Sequence, residues 1–181
     1  MYRVEDFDFL PGVVGALHRL QADGYALVVI SNQSGIARGL YSEADYQGLT
    51  EHMRERLAAA GIGLDGVEYC PHLPDAPVAQ YRLDCDCRKP KPGLITSAAH
   101  DLGVDLASSF MIGDRWRDVE AGARAGCTTI LVGGEHAGAL QMEPAARVDS
   151  LLSAARWIRA SLEAGSGRSA APQDRSSENR A

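Results

Sequence analysis

Two closely spaced pairs of metal-ligand residue types lie in the middle of the chain. Cys70 and His72 form the first pair, and Cys85 and Cys87 form the second. Three thiolates and one imidazole satisfy the tetrahedral coordination of zinc, and thiolates favour zinc over magnesium or calcium. The intervening loop is rich in proline and has no helix or strand periodicity, so a metal would stabilise a segment that cannot build its own core. We therefore predict a closed structural zinc site in the loop 70–87, against the alternative of cysteine pairs buried without metal.

Two cations follow this loop directly. Arg88 and Lys89 come immediately after Cys87 in the sequence. A zinc ion bound by Cys87 would fix the directions of both side chains, so that they could contact an anionic ligand. The alternative is that both are solvated surface cations.

Polar residues also follow two short apolar runs. Ser31-Asn32-Gln33-Ser34-Gly35 comes after the run 26–30, and Gly113-Asp114 comes after the run 110–112. Ligands of open α/β sheets bind beyond the carboxyl ends of the strands. The hydroxyl, amide and backbone N–H groups of the first stretch suit an anionic oxygen ligand, and the Asp114 carboxylate suits Mg²⁺. The alternatives are a polar turn and a helix cap, but several polar strand ends on one rim favour a ligand site.

The elements that must position these residues alternate along the chain. Strands are predicted at 26–30, 67–69, 110–112 and 128–132. Helices are predicted at 12–22, 42–60, 92–102, 116–125 and 151–162. This order predicts an α/β fold, with a parallel sheet and helices on both faces. We expect one domain over residues 1–164 and a disordered tail over residues 165–181, where apolar periodicity is lost.

The composition is that of a soluble globular protein. Its 181 residues are 45% hydrophobic and 23% charged, with a formal net charge of −6. This acidic balance argues against nucleic acid or an anionic membrane as the main partner, and no apolar run is long enough to span a bilayer. The N-terminus lacks an apolar stretch of the signal-peptide type, so we predict a cytoplasmic location.

Cys127, which begins another apolar run, is predicted to be an ordinary buried thiol.

Taken together, these segments resemble the haloacid dehalogenase (HAD) superfamily of phosphatases. The resemblance rests on residues 31–39, the two Cys/His pairs, Arg88-Lys89-Pro90 and Gly113-Asp114, and it covers nearly the whole chain before the tail. A Cys/His loop within this pattern is typical of the zinc-containing, histidinol-phosphatase-like group. The residues 33–39 and the long loop are more similar to the heptose-bisphosphate phosphatases of that group than to its histidinol-phosphate phosphatases.

The resemblance implies a fold and an activity. The fold would be a HAD-like Rossmannoid sheet with a small zinc loop in place of a large cap. The activity would be the Mg²⁺-dependent removal of the 7-phosphate of D-glycero-D-manno-heptose 1,7-bisphosphate, a step towards the activated heptose of cell-surface polysaccharide. The partner would be this small sugar bisphosphate, and the protein would be a monomer. Histidinol-phosphate phosphatase activity, or a catalytically inactive phosphate-binding relative, are the alternatives.

The resemblance also implies roles for individual residues. Substrate contacts would come from Ser31, Asn32, Gln33, Ser34, Arg88, Lys89 and Arg115. Of these, Ser31 and Lys89 would take part in catalysis by neutralising charge on the phosphoryl group. Asp114 would bind Mg²⁺, and zinc would be bound by Cys70, His72, Cys85 and Cys87.

One feature of the resembled family is missing from this sequence. The family's first motif, Asp-x-Asp-Gly-Thr at the end of the first strand, supplies the nucleophile and the general acid, and it does not occur here. The nearby Glu5-Asp6-Phe7-Asp8 lacks both the Gly-Thr and a preceding strand. We therefore expect the first, central strand to be absent, so that its two neighbours face each other across a gap with unpaired backbone groups. We also expect the natural polypeptide to begin further upstream.

Overall fold

The computed structural model describes residues 4–133 and 141–166. Within them, parallel strands form two sheets rather than one. The first sheet pairs β1 (Val28–Asn32) with β2 (Gly66–Cys70). The second has the order β3 (Phe110–Gly113), β4 (Thr128–Val132) and β5 (Ala146–Val148). The α/β fold with parallel strands is confirmed, and β5 is a strand that the sequence patterns did not predict.

Helices connect the strands. They are α1 (Val13–Ala22), α2 (Ser34–Ala37), α3 (Glu43–Ala59), α4 (Gly93–Leu102), α5 (Trp116–Ala125) and α6 (Leu151–Ser166). The long helix α3 begins as its N-terminal residues predict. The Ser42 hydroxyl accepts a hydrogen bond from the Asp45 N–H at 3.1 Å, and the Asp45 carboxylate accepts one from the Ser42 N–H at 2.8 Å. This reciprocal cap satisfies two N–H groups that a helix start leaves unpaired.

The helices cover both faces of the strands. Ile130 of β4 packs in a core cluster with residues of α1, α3 and α6, whereas the next residue, Leu131, packs against Val119 of α5. Because successive side chains of a strand point to opposite faces, α5 lies on the face opposite to α1 and α6. α4 contacts α5 and also packs against β1 and β2, which completes that second layer.

The boundary of β1 differs from its prediction. The apolar run predicted a strand over 26–30, but the strand spans Val28–Asn32. Ser31 and Asn32 therefore end the strand instead of following it. The shift arises because pairing with β2 continues through the polar residues to Cys70, and hydropathy does not report backbone pairing.

An apolar cleft separates the two sheets. It has a volume of about 880 Å³ and is lined by β1 on one side and β3 on the other. Residues of α1 and α4 complete its walls. This is the arrangement expected for a sheet whose central strand is absent.

The C-terminal end of the described chain is helical for longer than predicted. α6 extends to Ser166, whereas its periodicity predicted an end near residue 162. The rest of the predicted tail, residues 167–181, lies outside the described residues. Among the helices of residues 4–133 and 141–166, we find none with the length and hydropathy of a membrane span.

Candidate active site

Lys89 joins the carboxyl ends of the two sheets. Its Nζ donates a hydrogen bond of 2.7 Å to the carbonyl oxygen of Ile30 in β1. The same Nζ lies 2.6 Å from Oδ1 of Asp118, which follows β3 in helix α5. Both side chains of the pair are almost fully buried, with 11% and 8% of their surface exposed. The alternative of a solvated surface cation is therefore wrong for Lys89.

Asn32 holds the backbone of Lys89 in place. Its Nδ2 donates to the Lys89 carbonyl at 3.0 Å, and its Oδ1 accepts from the Lys89 N–H at 3.0 Å. One amide side chain thereby satisfies both polar backbone groups of a residue in a half-buried loop. The resemblance implies a substrate contact for Asn32, which stays a prediction; the contact that the structure shows is the one with the backbone of Lys89.

Replacing Asn32 by alanine is expected to destabilise the protein. Both backbone groups of Lys89 would lose their partner, at a cost of about 1–3 kcal/mol in the free energy of unfolding. Asn32→Asp is the matched comparison, because it keeps the acceptor for the Lys89 N–H but places a carboxylate oxygen against the carbonyl. Urea unfolding followed by circular dichroism measures both. Equal stability of wild type and Asn32→Ala would show that this contact contributes nothing.

The two aspartates beside β3 have different environments. Oδ2 of Asp118 accepts a hydrogen bond of 3.0 Å from the Arg115 N–H, so both Asp118 oxygens have partners. Asp114 leaves 65% of its side chain exposed and lies 3.3 Å from Nε of Arg115. The alternative that Asp114 only caps α5 is wrong, because Asp118 provides the cap. Asp114 is therefore the carboxylate of this pair that is open to a cation.

Gly113 permits this arrangement. A Cβ atom at position 113 would overlap the side chain of Asp118. The Gly-Asp sequence thus has a packing reason, in addition to the chemistry of the aspartate.

A chain of hydrogen bonds orients the Ser31 hydroxyl. Ser31 Oγ accepts from Nε2 of Gln33 at 2.7 Å, and Oε1 of Gln33 accepts from the Tyr41 hydroxyl at 2.6 Å. Burial raises the pKa of Tyr41, which keeps this phenol protonated as a donor. Because Gln33 occupies an acceptor position of Ser31, the serine proton can be donated to a ligand oxygen. No spacing pattern in the sequence indicated the part played by Tyr41.

The other residues predicted to contact substrate are Arg88, Arg115 and Ser34, and their surroundings differ. Arg88 donates from Nη1 to the carbonyl oxygen of His72 at 3.0 Å, so its guanidinium is attached to the Cys/His loop. Arg115 is half exposed beside Asp114. Ser34 begins the short helix α2, directly after the Ser31–Gln33 contact. The alternative of a solvated cation is wrong for Arg88 as well.

The four Cys/His side chains come together as their spacing predicts. The donor atoms of Cys70, His72, Cys85 and Cys87 all lie within 4.8 Å of one another. Cys87 Sγ is 3.2 Å from Cys70 Sγ, and His72 Nδ1 is 3.4 Å from Cys87 Sγ. Burial raises the pKa of the Cys70 thiol, and a bound cation would favour the thiolate form of this sulfur. Soft donors this close together fit zinc, with metal–donor bonds of about 2.0–2.3 Å.

Cys127 does not belong to this cluster. It is half-buried and lines the apolar cleft between the sheets. Burial raises the pKa of its thiol, but the side chain is only half-buried, whereas the sequence predicted a buried thiol.

The chain is similar in sequence to known phosphatases. A profile of HAD-hydrolase-like proteins matches residues 86–154. The D-glycero-beta-D-manno-heptose-1,7-bisphosphate 7-phosphatase of Photorhabdus laumondii is 48% identical over 125 residues, which cover 69% of this chain and 66% of that protein. The enzyme of the same name from Escherichia coli K12 is 45% identical over 129 residues, which cover 71% of this chain and 68% of that protein.

A solved structure of a phosphatase with the same substrate name is also similar to this chain. The D,D-heptose 1,7-bisphosphate phosphatase of B. bronchiseptica, complexed with magnesium and phosphate, superposes with a TM-score of 0.74 and 32% identity. The superposition covers 88% of each chain. The aligned part of this chain spans about two thirds of the length of the relatives compared by sequence.

Proposed function

Because the chain belongs to the family of D-glycero-β-D-manno-heptose-1,7-bisphosphate 7-phosphatases within the HAD-like hydrolases, we propose that its site serves removal of the 7-phosphate from that sugar bisphosphate. The observation that carries the proposal is the position of the buried Lys89 ammonium between the ends of β1 and β3. A fixed positive charge at this rim suits the developing charge of a transferring phosphoryl group.

Each residue of the rim has a physical role in this proposal. The Ser31 hydroxyl, oriented by Gln33, donates to a phosphoryl oxygen. Lys89 neutralises charge on the same group, while Asp118 and Asn32 hold the lysine in position. Ser34, Arg88 and Arg115, together with the amides of Asn32 and Gln33, are proposed to contact the rest of the sugar phosphate.

Magnesium is the proposed catalytic cofactor. Asp114 is the exposed carboxylate at the carboxyl end of β3, and oxygen ligands of this kind suit Mg²⁺. When bound, the ion would neutralise charge on the phosphoryl oxygens. The magnesium and phosphate bound by the structurally similar B. bronchiseptica enzyme support this assignment.

Zinc is proposed as a structural ion held by Cys70, His72, Cys85 and Cys87. Four protein donors would complete the tetrahedral coordination of zinc and would leave no position for substrate. Because Arg88 directly follows Cys87 and bonds the His72 carbonyl, the bound loop would fix the direction of this guanidinium. The monomeric state and the cytoplasmic location remain predictions from the sequence.

Substrate binding by the 181-residue chain tests the proposal. In isothermal titration calorimetry with Mg²⁺, we expect the heptose bisphosphate to bind more tightly than histidinol phosphate. Ser31→Ala is expected to weaken binding about ten- to a hundredfold, since a hydrogen bond to a charged group contributes about 1.5–3 kcal/mol. Ser97→Ala, at an exposed position of α4, is the matched control and should leave binding unchanged.

Measurement of phosphate release tests the proposed catalytic activity. The motif that supplies the family's nucleophile is not among the 181 residues, so we expect turnover only when an Asp-x-Asp-Gly-Thr strand is fused ahead of Met1. Tighter binding and faster hydrolysis of histidinol phosphate would favour the alternative substrate. Absence of binding for both compounds would overturn the proposal.

A further inference from the structure

The direction of the Ser31 proton depends on which way round the side-chain amide of Gln33 is held. Such an amide offers N–H donors at one end and a carbonyl acceptor at the other, although the two ends are nearly equal in size and shape. In the structure, Nε2 lies 2.7 Å from Ser31 Oγ and donates to it. If the amide turned end for end, Oε1 would take this place and would accept the serine proton. A bound anion would then lose the hydrogen bond from Ser31.

The hydroxyl of Tyr41 distinguishes these two orientations. It lies 2.6 Å from Oε1 of Gln33 and donates its proton there. In the turned amide the same hydroxyl would face an N–H group, so two donors would meet. Burial raises the pKa of Tyr41, which keeps the phenol protonated and therefore able to select the orientation at neutral pH.

The backbone of Gly35 keeps the Tyr41 proton from turning away. Its N–H donates to the phenol oxygen. An oxygen that accepts an N–H on one side must direct its own proton elsewhere, and Gln33 offers the acceptor. A Cβ atom at position 35 would overlap the ring and the hydroxyl of Tyr41, so this approach requires glycine. This N–H, which the sequence predicted for an anionic ligand, is bonded to Tyr41 instead.

A second tyrosine agrees with this orientation. Tyr46 leaves only 7% of its surface exposed. Burial raises its pKa, and hydrogen bonds from three side chains oppose this rise; the donors are Thr50, Gln33 and Ser31. Since a hydrogen bond that lowers the pKa of a phenol comes from a donor, the nitrogen end of Gln33 faces Tyr46. Ser31 is a donor here as well, so an incoming anion competes for its proton with a neutral phenol oxygen, a weaker acceptor than an amide carbonyl.

We propose that Tyr41, packed on the backbone of Gly35, is a positioning residue of the phosphoryl site: it holds the nitrogen of Gln33 towards Ser31 and so keeps Ser31 a hydrogen-bond donor. The inference rests on the proposed function and deepens it, because it gives the rim a preference for phosphoryl oxygens that carry no proton. In this role Tyr41 acts through Gln33 and Ser31 and touches no ligand.

Nuclear magnetic resonance of the ligand-free 181-residue chain tests the amide orientation directly. The side-chain amide signals of Gln33 are assigned by their absence in Gln33→Met. In the wild type, we expect nuclear Overhauser effects from these amide protons to the β-protons of Ser31. They should weaken in Tyr41→Phe, where the turned amide becomes populated. Tyr46 cannot replace Tyr41, because its hydroxyl can accept from one end of the amide or donate to the other.

The affinity for inorganic phosphate with Mg²⁺, followed by ³¹P resonance, tests the consequence for the ligand. Tyr41→Phe should weaken binding about three- to tenfold, which is the effect of one neutral hydrogen bond. In the Ser31→Ala background the same change should have no further effect, because no serine proton remains to be directed. General damage to the site would instead lower the affinity by the same factor in both backgrounds.

Two further variants separate the position of the phenol from the loss of a hydroxyl. Gly35→Ala keeps the phenol but displaces it, and it should reproduce both effects of Tyr41→Phe. Alanine is the better helix former, so a weakened helix α2 would not be the cause. Tyr69→Phe is the matched control, since it removes a tyrosine hydroxyl that is also bonded, at 3.0 Å to Oε2 of Glu43, and it should change neither measurement. Circular dichroism establishes that each variant is folded.

Two outcomes would overturn the proposal. Unchanged Overhauser effects in Tyr41→Phe would show that the amide is held without the phenol. An equal loss of phosphate affinity with and without the Ser31 hydroxyl would show that Tyr41 does not act through the serine. If the wild type binds neither phosphate nor the heptose bisphosphate, the proposed function fails, while the resonance experiment still decides the orientation of Gln33.

Discussion

Replacing Cys85 by serine is expected to release zinc from the protein and to lower its stability. Cys85 is one of four donors within 4.8 Å of one another, and a serine hydroxyl is a poor zinc ligand beside thiolates. Because binding free energy of a structural metal is folding free energy, we expect a loss of at least about 2 kcal/mol and a Tm decrease of roughly 5 °C or more. Elemental analysis should give about one zinc per wild-type chain.

Cys127→Ser is the matched control for this experiment. It is the same chemical change at a half-buried cysteine outside the cluster, so zinc content should not change. Acid should also release zinc from the wild type, since protons compete for the ligands. An unchanged zinc content in Cys85→Ser would remove this residue from the ligand set, and a metal-free wild type would reject the site.

Replacing Lys89 by methionine is expected to destabilise the protein by about 3–5 kcal/mol, because the change leaves the buried Asp118 carboxylate without its counter-charge. The Lys89 Nζ to Asp118 Oδ1 distance is 2.6 Å, and neither side chain has more than 11% of its surface exposed. Removing one member of a buried pair costs far more than the pair itself contributes, since the remaining charge stays desolvated. Urea unfolding measures the difference.

Lys91→Met is the control that the chain itself provides. Lys91 is also ion-paired, at 2.7 Å from Asp84, but the side chains are 36% and 74% exposed. Solvent screens such a pair, so a much smaller loss is expected than for Lys89→Met. A double variant with Lys89→Met and Asp118→Asn should recover part of the lost stability. Equal effects of the Lys89 and Lys91 changes would show that burial of the first pair is energetically unimportant.

Local patterns in the sequence were sufficient for most of the described strands and helices, though not for α2 or β5, and for the Cys/His cluster. α5 and β4 have the bounds that their periodicity predicted, because a helix of period 3.6 and a buried apolar strand leave separate signals. The four metal donors were recognisable because their types are uncommon together and their spacing places them in one loop. Chemistry carried by residues close in sequence can be inferred without coordinates.

Contacts between distant segments were decided only by the tertiary structure. Asn32 bonds the backbone of a residue 57 positions away, and no periodicity indicates such a pair. No sequence motif indicates a role for Tyr41, because its hydroxyl reaches Ser31 only through the side chain of Gln33. The direction in which an amide or a buried ammonium group points depends on how elements distant in sequence pack against each other.

The gap between the two sheets shows what the sequence determines and what only the tertiary structure decides. The sequence by itself determined that a central strand motif is missing, because the Asp-x-Asp-Gly-Thr pattern has no match among the 181 residues. Only the tertiary structure decided that β1 and β3 keep separate sheets, with an apolar cleft of about 880 Å³ between them. The physical reason is that helices packed on both faces hold each strand in place, while hydrogen bonding across the gap requires a backbone that these strands do not supply.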